Sequence, residues 1–188
     1  MTLTYKHPKA KTCEVCERVF VPDRMGQLVC RPACAMARVR QAKKAERDSI
    51  KARKEAIKTI AQLIAAAQIA FNAFIRERDA DKPCICCGRP LGDGDVGGAF
   101  DCGHYRSTGS ASHLRFNEDN AHAQRKQCNR WGAGRAVDYR LGLVQRIGLE
   151  AVVALESSNT PHKWTREELT AIRDHYRQKL KDTLKGRA

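Results

Sequence analysis

The stretch FDCGHYRSTGSASHLRFNEDNAHAQRKQCNRW, residues Phe100–Trp131, is rich in side chains that serve as ligands and poor in side chains that build a core. It holds three histidines, three asparagines, two cysteines and four arginines, whereas only Leu114 and Phe116 resemble core residues. Each buried polar group needs a partner, so chains seldom gather this many merely to fold. The stretch therefore predicts a chemical site.

The cysteines around this stretch indicate zinc. Cys84 and Cys87 have C-x2-C spacing, and the following glycine suits the tight turn of a zinc knuckle. Cys128 lies far enough downstream to return to the same ion. We expect Cys102 to be the fourth ligand. The spacing leaves three alternatives for that position: Cys86, His113 and His122.

A cysteine group near the N-terminus has a more regular spacing. It reads C-x2-C, thirteen residues, C-x3-C, and its members are Cys13, Cys16, Cys30 and Cys34. Two close pairs of thiolates can surround one tetrahedral Zn²⁺, and Pro32 is expected near the first position of a helix. We therefore predict a small zinc module here and two structural zinc ions in the chain.

The composition favours an anionic partner. The 188 residues carry a net charge of +14, which is typical of proteins that meet nucleic acid or another anionic surface. No window of about 18 apolar residues occurs, and the N-terminal MTLTYKHPKAKTC has no apolar signal core. We expect no membrane span and a reducing cytoplasm, where the nine cysteines would bind metal rather than form disulfides.

Residues 35–78 predict one long helix or two nearly collinear helices, because no Pro or Gly occurs from residue 33 to residue 82. Residues 36–58 carry nine Lys or Arg against three Asp or Glu. We expect this half to lie along phosphates, although a solvated charged face is the alternative. The residues assigned to DNA are Lys43, Lys44, Arg47, Lys51, Arg53 and Lys54. The second half has an apolar stripe typical of a core, formed by Ile57, Ile60, Ile64, Ala67, Phe71 and Phe74.

The remaining segments predict a loop and further helices. The glycine-rich run over residues 88–100 reads as a turn-rich loop, and helices are expected over residues 136–148 and 149–156. Thr165 and Glu168 fit a capping box that opens a last helix. The predicted fold class is a mostly helical α+β protein. Its parts are a zinc module (1–36), a basic and amphipathic helix (37–78), a zinc-stabilised ββα-metal core (79–140) and C-terminal helices (141–188).

The order of side chains in the opening stretch is that of a ββα-metal, or HNH, nuclease site. A zinc knuckle precedes a histidine near a strand end, then a central asparagine, then a cysteine followed by another asparagine. In such a site structural zinc holds a unit too small to fold alone. A separate divalent ion stabilises charge on the scissile phosphate, and the histidine takes a proton from water.

These residues give the chain a family resemblance. The segments AFNAFIRERDADKPC, DCGHYRST, LRFNEDNAHAQ, CN, VDYR, QRIG and HKWTREEL resemble the NinG, or Rap, recombination nucleases of lambda-like bacteriophages, over about residues 70–184. The resemblance implies a structure-selective endonuclease in the host-cell cytoplasm. Its substrates would be branched recombination intermediates such as Holliday junctions and D-loops. A homodimer would fit paired cuts, and phage or host recombination proteins are further candidate partners.

The resemblance also implies roles for single residues. His104 would be the general base, Asn120 would orient it, and Asp101 and Asn129 would bind a catalytic Mg²⁺ or Mn²⁺. His122 would be a further ligand or a phosphate contact. Arg106 and Arg115 are expected to contact phosphate.

One departure from the family pattern concerns zinc. The family usually shows C-x2-C before the final asparagine, but Arg125 stands at the first of those two positions. Either Cys102 supplies the missing thiolate or the second zinc site is weakened. The competing function is a non-catalytic zinc-containing DNA- or RNA-binding protein.

Overall fold

The computed structural model describes residues 9–92 and 100–187, and its class is the expected mostly helical α+β. The helices are α1 (Pro32–Ala56), α2 (Ile60–Arg78), α3 (Ala136–Ile147), α4 (Leu149–Ser157) and α5 (Arg166–Arg187). Two antiparallel hairpins pair β1 (Lys11–Thr12) with β2 (Val19–Phe20), and β3 (Phe100–His104) with β4 (Ala121–Arg125). The chain divides into two compact units, Met1–Lys58 and Thr59–Ala188. We call them the N-terminal unit and the C-terminal unit.

The N-terminal unit consists of the short β1–β2 hairpin, a cysteine-rich loop and α1. Pro32 occupies the first turn of α1, as its position in the sequence predicted. Cys34 is the one buried residue of this helix, and every lysine and arginine assigned to DNA is exposed. The apolar content of α1 therefore does not form a core with the described part of its own unit.

The predicted long helix is interrupted at residues 57–59. Thr59 starts α2 with a capping box: its hydroxyl accepts from the Gln62 N–H at 3.3 Å, and the Gln62 side chain accepts from the Thr59 N–H at 2.9 Å. The cap gives the first N–H groups of α2 partners without a preceding helical turn. The T-x-x-Q pattern is visible in the sequence and is the signal that predicts a new helix.

The core of the C-terminal unit lies between α2 and α5. Phe71 packs edge-on against Tyr176 with ring centroids 4.8 Å apart, and it also contacts Phe116 and His104. The predicted stripe of α2 is correct for its later members but not for Ile57 and Ile60, which are exposed. The buried side chains of α2 are Leu63, Ala67, Ala70, Phe71, Phe74 and Ile75.

A second core cluster joins α3 and α4 to the cysteine knuckle. Tyr139, Leu143, Val152 and Leu155 are buried there with Ile85. The predicted end of α3 at Gly148 and the Thr165 capping box are confirmed. This cluster anchors the knuckle that precedes β3.

Some of the predictions concern residues outside the described ranges. Residues 93–99 of the predicted loop and the first eight residues lie outside them. The four-part division of the chain stays a prediction, beside the two units of the structure. Within the described ranges no single helix is long and apolar enough to cross a membrane.

Candidate functional site

The first cysteine cluster brings together the four thiols predicted for the N-terminal module, Cys13, Cys16, Cys30 and Cys34. All four sulfur atoms lie within 4.8 Å of one another. The Cys16 and Cys30 sulfurs are 3.5 Å apart, and the Cys30 N–H points at the Cys13 sulfur at 3.5 Å. Four thiolates at this spacing form the donor set of a structural zinc site.

The second cysteine cluster consists of Cys84, Cys86, Cys87 and Cys128, also within 4.8 Å. The prediction that Cys102 is the fourth ligand is therefore wrong. Cys102 lies on β3 and is buried in the core beside α2, away from the knuckle. Cys86 takes its place, because its sulfur turns toward that of Cys84 at 3.6 Å. His113 and His122 are outside the cluster as well.

The pKa values of the Cys84 and Cys86 thiols in the second cluster are those expected where several thiolates surround a cation. Burial alone would raise the pKa of Cys84, but N–H groups of Arg125 and Cys87 bring it down to about 7. Burial and the neighbouring thiols Cys128 and Cys84 raise the pKa of Cys86. The first thiolate that forms in the cluster therefore disfavours ionisation of the next thiol. A bound divalent ion would offset this repulsion between negative charges. Both clusters could hold a structural ion such as zinc.

His104 stands at the end of β3 with one ring nitrogen occupied. Its Nε2 lies 3.1 Å from the carbonyl oxygen of Arg115, and its ring contacts Phe71. A carbonyl can only accept, so Nε2 carries the proton and Nδ1 keeps its lone pair. Burial lowers the pKa of His104, so the ring is neutral at pH near 7. The imidazole can accept a proton through Nδ1.

Asn120 does not take the role predicted for it. Its side-chain oxygen accepts from the Arg106 N–H at 2.8 Å, and its amide nitrogen donates to the carbonyls of Arg106 and Leu114. These bonds leave it fully buried and fix the loop between β3 and β4. The prediction that Asn120 orients His104 is wrong, since the Arg115 carbonyl holds that ring instead.

His122 belongs to a buried ionic network rather than to a ligand shell. Its Nδ1 lies 3.0 Å from the Arg78 guanidinium and 3.4 Å from the Asp79 carboxylate, and its Nε2 lies 3.2 Å from the Asp119 carbonyl. Burial would raise the pKa of Asp79, but its contacts with His122 and Arg78 hold the pKa well below its usual range. Burial lowers the pKa of His122. Both ring nitrogens are engaged, which contradicts the prediction of a phosphate contact.

The structure brings together the two predicted ligands of a divalent ion. The Asn129 side-chain amide nitrogen donates to the Asp101 carboxylate at 3.3 Å, where β3 meets the π-helical turn at residues 127–131. Arg130 donates to both oxygens of Asp101, at 2.8 and 3.2 Å. Side chains alternate along a strand, so Asp101 and His104 point to opposite faces of β3. Asp101 and Asn129 thus form a pair separate from the imidazole.

Two arginines predicted to contact phosphate form hydrogen bonds within the protein instead. Arg106 donates to the carbonyls of Leu155, Glu156 and Ser158 at the end of α4, and to the Asn159 side chain. Arg115 donates to the Gln68 side chain and to the Thr108 carbonyl. These bonds contradict the predicted phosphate contacts. The side chains of α1 assigned to DNA stay a prediction.

The fold and the clusters define a basic α+β protein with two four-cysteine clusters suited to zinc. A family model described as Bacteriophage Lambda NinG protein matches residues 5–186, and the chain belongs to this NinG family. It is 40% identical over 200 residues to Protein ninG of Escherichia phage 933W, covering 96% of this chain and 97% of the relative.

Two further relatives show the same extent of similarity. Protein ninG of Escherichia phage lambda is 40% identical over 202 residues, with 96% of this chain and 97% of the relative covered. Protein ninG of Salmonella phage P22 is 40% identical over 194 residues, with 93% of each chain covered. No solved structure matches the chain.

Proposed function

We propose that the protein is a metal-dependent DNA endonuclease of HNH type that acts on branched recombination intermediates, such as Holliday junctions and D-loops. The observation that carries the proposal is the geometry of His104. A backbone carbonyl holds its Nε2–H, burial keeps the ring neutral, and Nδ1 keeps a free lone pair.

The chemical step assigned to His104 is proton transfer. Nδ1 takes a proton from a water molecule, whose oxygen attacks the phosphorus atom of the scissile phosphodiester as the bond to the leaving oxygen breaks. The Arg115 carbonyl keeps the proton of Nε2 in place and stabilises the imidazolium that forms. Since only the neutral imidazole accepts a proton, cleavage should fall as the pH drops through the pKa of His104.

The divalent ion of such a reaction would use Asp101 and Asn129. One carboxylate and one amide oxygen suit Mg²⁺ or Mn²⁺, which bind few protein ligands and complete their shell with water and substrate phosphate. When bound, the ion supplies charge stabilisation at the phosphate. Arg130 occupies the same carboxylate, so the ion must displace its guanidinium from Asp101.

The test is cleavage of labelled Holliday junction, D-loop and matched linear duplex, with Mg²⁺, with Mn²⁺ and without added divalent ion. We expect metal-dependent cutting of branched DNA that is lost in His104→Ala and in Asp101→Asn, with both proteins folded and zinc-loaded. His162→Ala is the matched control, because His162 is an exposed histidine of the same unit. Cutting that survives His104→Ala would contradict the assignment of the base.

A second candidate function is a non-catalytic zinc-containing nucleic-acid-binding protein. The bidentate contact between Arg130 and Asp101, and the opposite orientation of Asp101 and His104, favour it. Tight, salt-dependent binding of DNA without cutting in any metal would support this function over the nuclease.

A further inference from the structure

A polar pocket of about 460 Å³ lies beside the second cysteine cluster. Besides the thiols it is lined by Arg89, Arg125 and Arg135, with Gln127 and Asp138. Three arginines thus line one concave surface. A guanidinium can donate two parallel hydrogen bonds to a phosphate. Nothing in the proposed chemistry of His104 or Asp101 uses this pocket.

The fold of the knuckle places each of these arginines. The Arg89 carbonyl accepts from the Cys84 N–H at 2.9 Å, so Arg89 closes the knuckle turn. Arg125 ends β4, and its N–H points at the Cys84 sulfur at 3.3 Å. Because Cys86 completes the cluster, position 125 is not needed for a thiolate and its side chain can face the pocket.

Arg135 reaches the pocket from a strained turn. Ala133, Gly134 and Arg135 all have positive φ, at 50°, 76° and 49°. Left-handed backbone is unfavourable for residues other than glycine, and such strain is frequent at binding sites. Arg135 is also the first residue before α3, whose start has no side-chain cap. The positive end of that helix adds to the charge of the guanidinium.

The three arginines of the pocket form few ion pairs within the described ranges. Among the ion pairs of the described ranges none involves Arg89 or Arg125, and Arg135 has only a 3.7 Å contact with the exposed carboxylate of Asp138. This contrasts with Arg106, which donates to three carbonyls and to the Asn159 side chain, and with Arg115, which donates to the Thr108 carbonyl and the Gln68 side chain. A zinc ion with four thiolates would have a net negative charge, so neutralising the cluster is the competing role of the arginines.

We infer that this pocket binds a backbone phosphate of nucleic acid. The inference rests on the proposed function only in taking nucleic acid as the partner, and it does not require cleavage. Arg89 and Arg125 form the fork that holds the phosphate, and Arg135 closes it from the start of α3. The pocket thus supplies the contact that Arg106 and Arg115 do not.

The test measures binding of a short fluorescein-labelled duplex and of a labelled junction without added divalent ion. Arg125→Gln and Arg89→Gln should each weaken both about tenfold and reduce the salt dependence by about one released counterion. Both proteins should keep two zinc ions. Arg177→Gln on α5 removes the same charge from an exposed site and is the matched control, with a much smaller loss.

Two further measurements make the result decisive. Arg125→Lys keeps the charge without the fork and should bind between the wild type and Arg125→Gln, and inorganic phosphate should compete more weakly than DNA. The inference that the pocket binds phosphate would be overturned by an equal loss of DNA affinity in Arg177→Gln. Unchanged affinity in both Arg89→Gln and Arg125→Gln would overturn it as well. Loss of zinc in both variants would instead show that the arginines neutralise the cluster. DNA binding that depends on the arginines, without DNA cleavage, would support phosphate binding in the pocket and contradict the proposed nuclease activity.

Discussion

The two cysteine knuckles have the same backbone turn. In each, the N–H of the first cysteine donates at 2.9 Å to the carbonyl five residues on, and the N–H four residues on donates back at 3.0 Å. These turns begin at Cys13 and at Cys84. The residue with positive φ is Glu17 in the first knuckle, at 59°, and Gly88 in the second, at 66°.

The surroundings of the two knuckles differ. Among residues 9–58 the buried side chains are those of Cys13, Pro22 and Cys34, and both cysteines belong to the cluster itself. The second knuckle packs against the core cluster of α3 and α4 through Ile85. Within residues 9–58 the cluster cysteines thus supply most of the buried side chains, whereas the second knuckle is one part of a larger core.

The largest effect should come from removing the first cluster. Cys13→Ser should cost the N-terminal unit its zinc, whose binding contributes on the order of 10 kcal/mol to folding in small zinc domains. Mass spectrometry should find one zinc per chain, and limited proteolysis should cut before α1. Resistance to proteolysis equal to the wild type would show that this unit has stability beyond its metal.

Removing the second cluster should have a smaller effect on folding. Cys86→Ser should also leave one zinc, yet the aromatic core between α2 and α5 should stay protected in hydrogen exchange. Cys102→Ser is the matched control: it should keep both zinc ions and lose about 1–3 kcal/mol, because it buries a hydroxyl in an apolar core. Loss of a zinc in Cys102→Ser would overturn the ligand assignment.

A third change separates packing from metal. A Cβ on Gly142 would lie 1.8 Å from the Ile85 carbonyl oxygen, so Gly142→Ala should push α3 off the second knuckle and cost about 1–3 kcal/mol in urea unfolding. Gly186→Ala on α5 meets nothing within 4 Å and should stabilise by about 0.5–1 kcal/mol instead. A gain in both variants would mean that α3 does not touch the knuckle so closely.

The smallest effect should come from exchanging the turn residues. Gly88→Ala finds open space but positive φ, so it should weaken zinc retention by about 1 kcal/mol. Glu17→Gly relieves the same strain in the first knuckle and should strengthen retention by a similar or smaller amount, since glycine also gains freedom on unfolding. Competition with a chromophoric chelator measures both. Effects of the same sign in the two variants would break the equivalence of the turns.

Local patterns predicted much of this structure. The regular spacing of the first cluster, the stop at Gly148 and the capping box at Thr165 depend on neighbours within a few residues. The end of the long helix was predictable in the same way from Thr59 and Gln62. These features follow from short-range hydrogen bonds and helical spacing.

Long-range partners could not be read in this way. The sequence favoured Cys102 over Cys86 as the fourth ligand, and only the pairing of β3 with β4 directs Cys102 into the core. Asn120 and Arg106 are residue types that are common in catalytic sites. In the structure both donate to backbone carbonyls that folding brings close. Asp79 has the local partners Arg78 and Lys82, but its partners on β4 and α3 come from folding, so the buried network had no signal in the sequence.

The capping box at Thr59 has a practical consequence for dissecting the protein. A helix that supplies partners for its own first N–H groups needs nothing upstream to begin, so a fragment starting at Lys58 retains a complete start for α2. Expression from that point would yield the second cysteine cluster, His104 and the arginine pocket on one polypeptide. The basic surface of α1 could then be added back as a separate peptide.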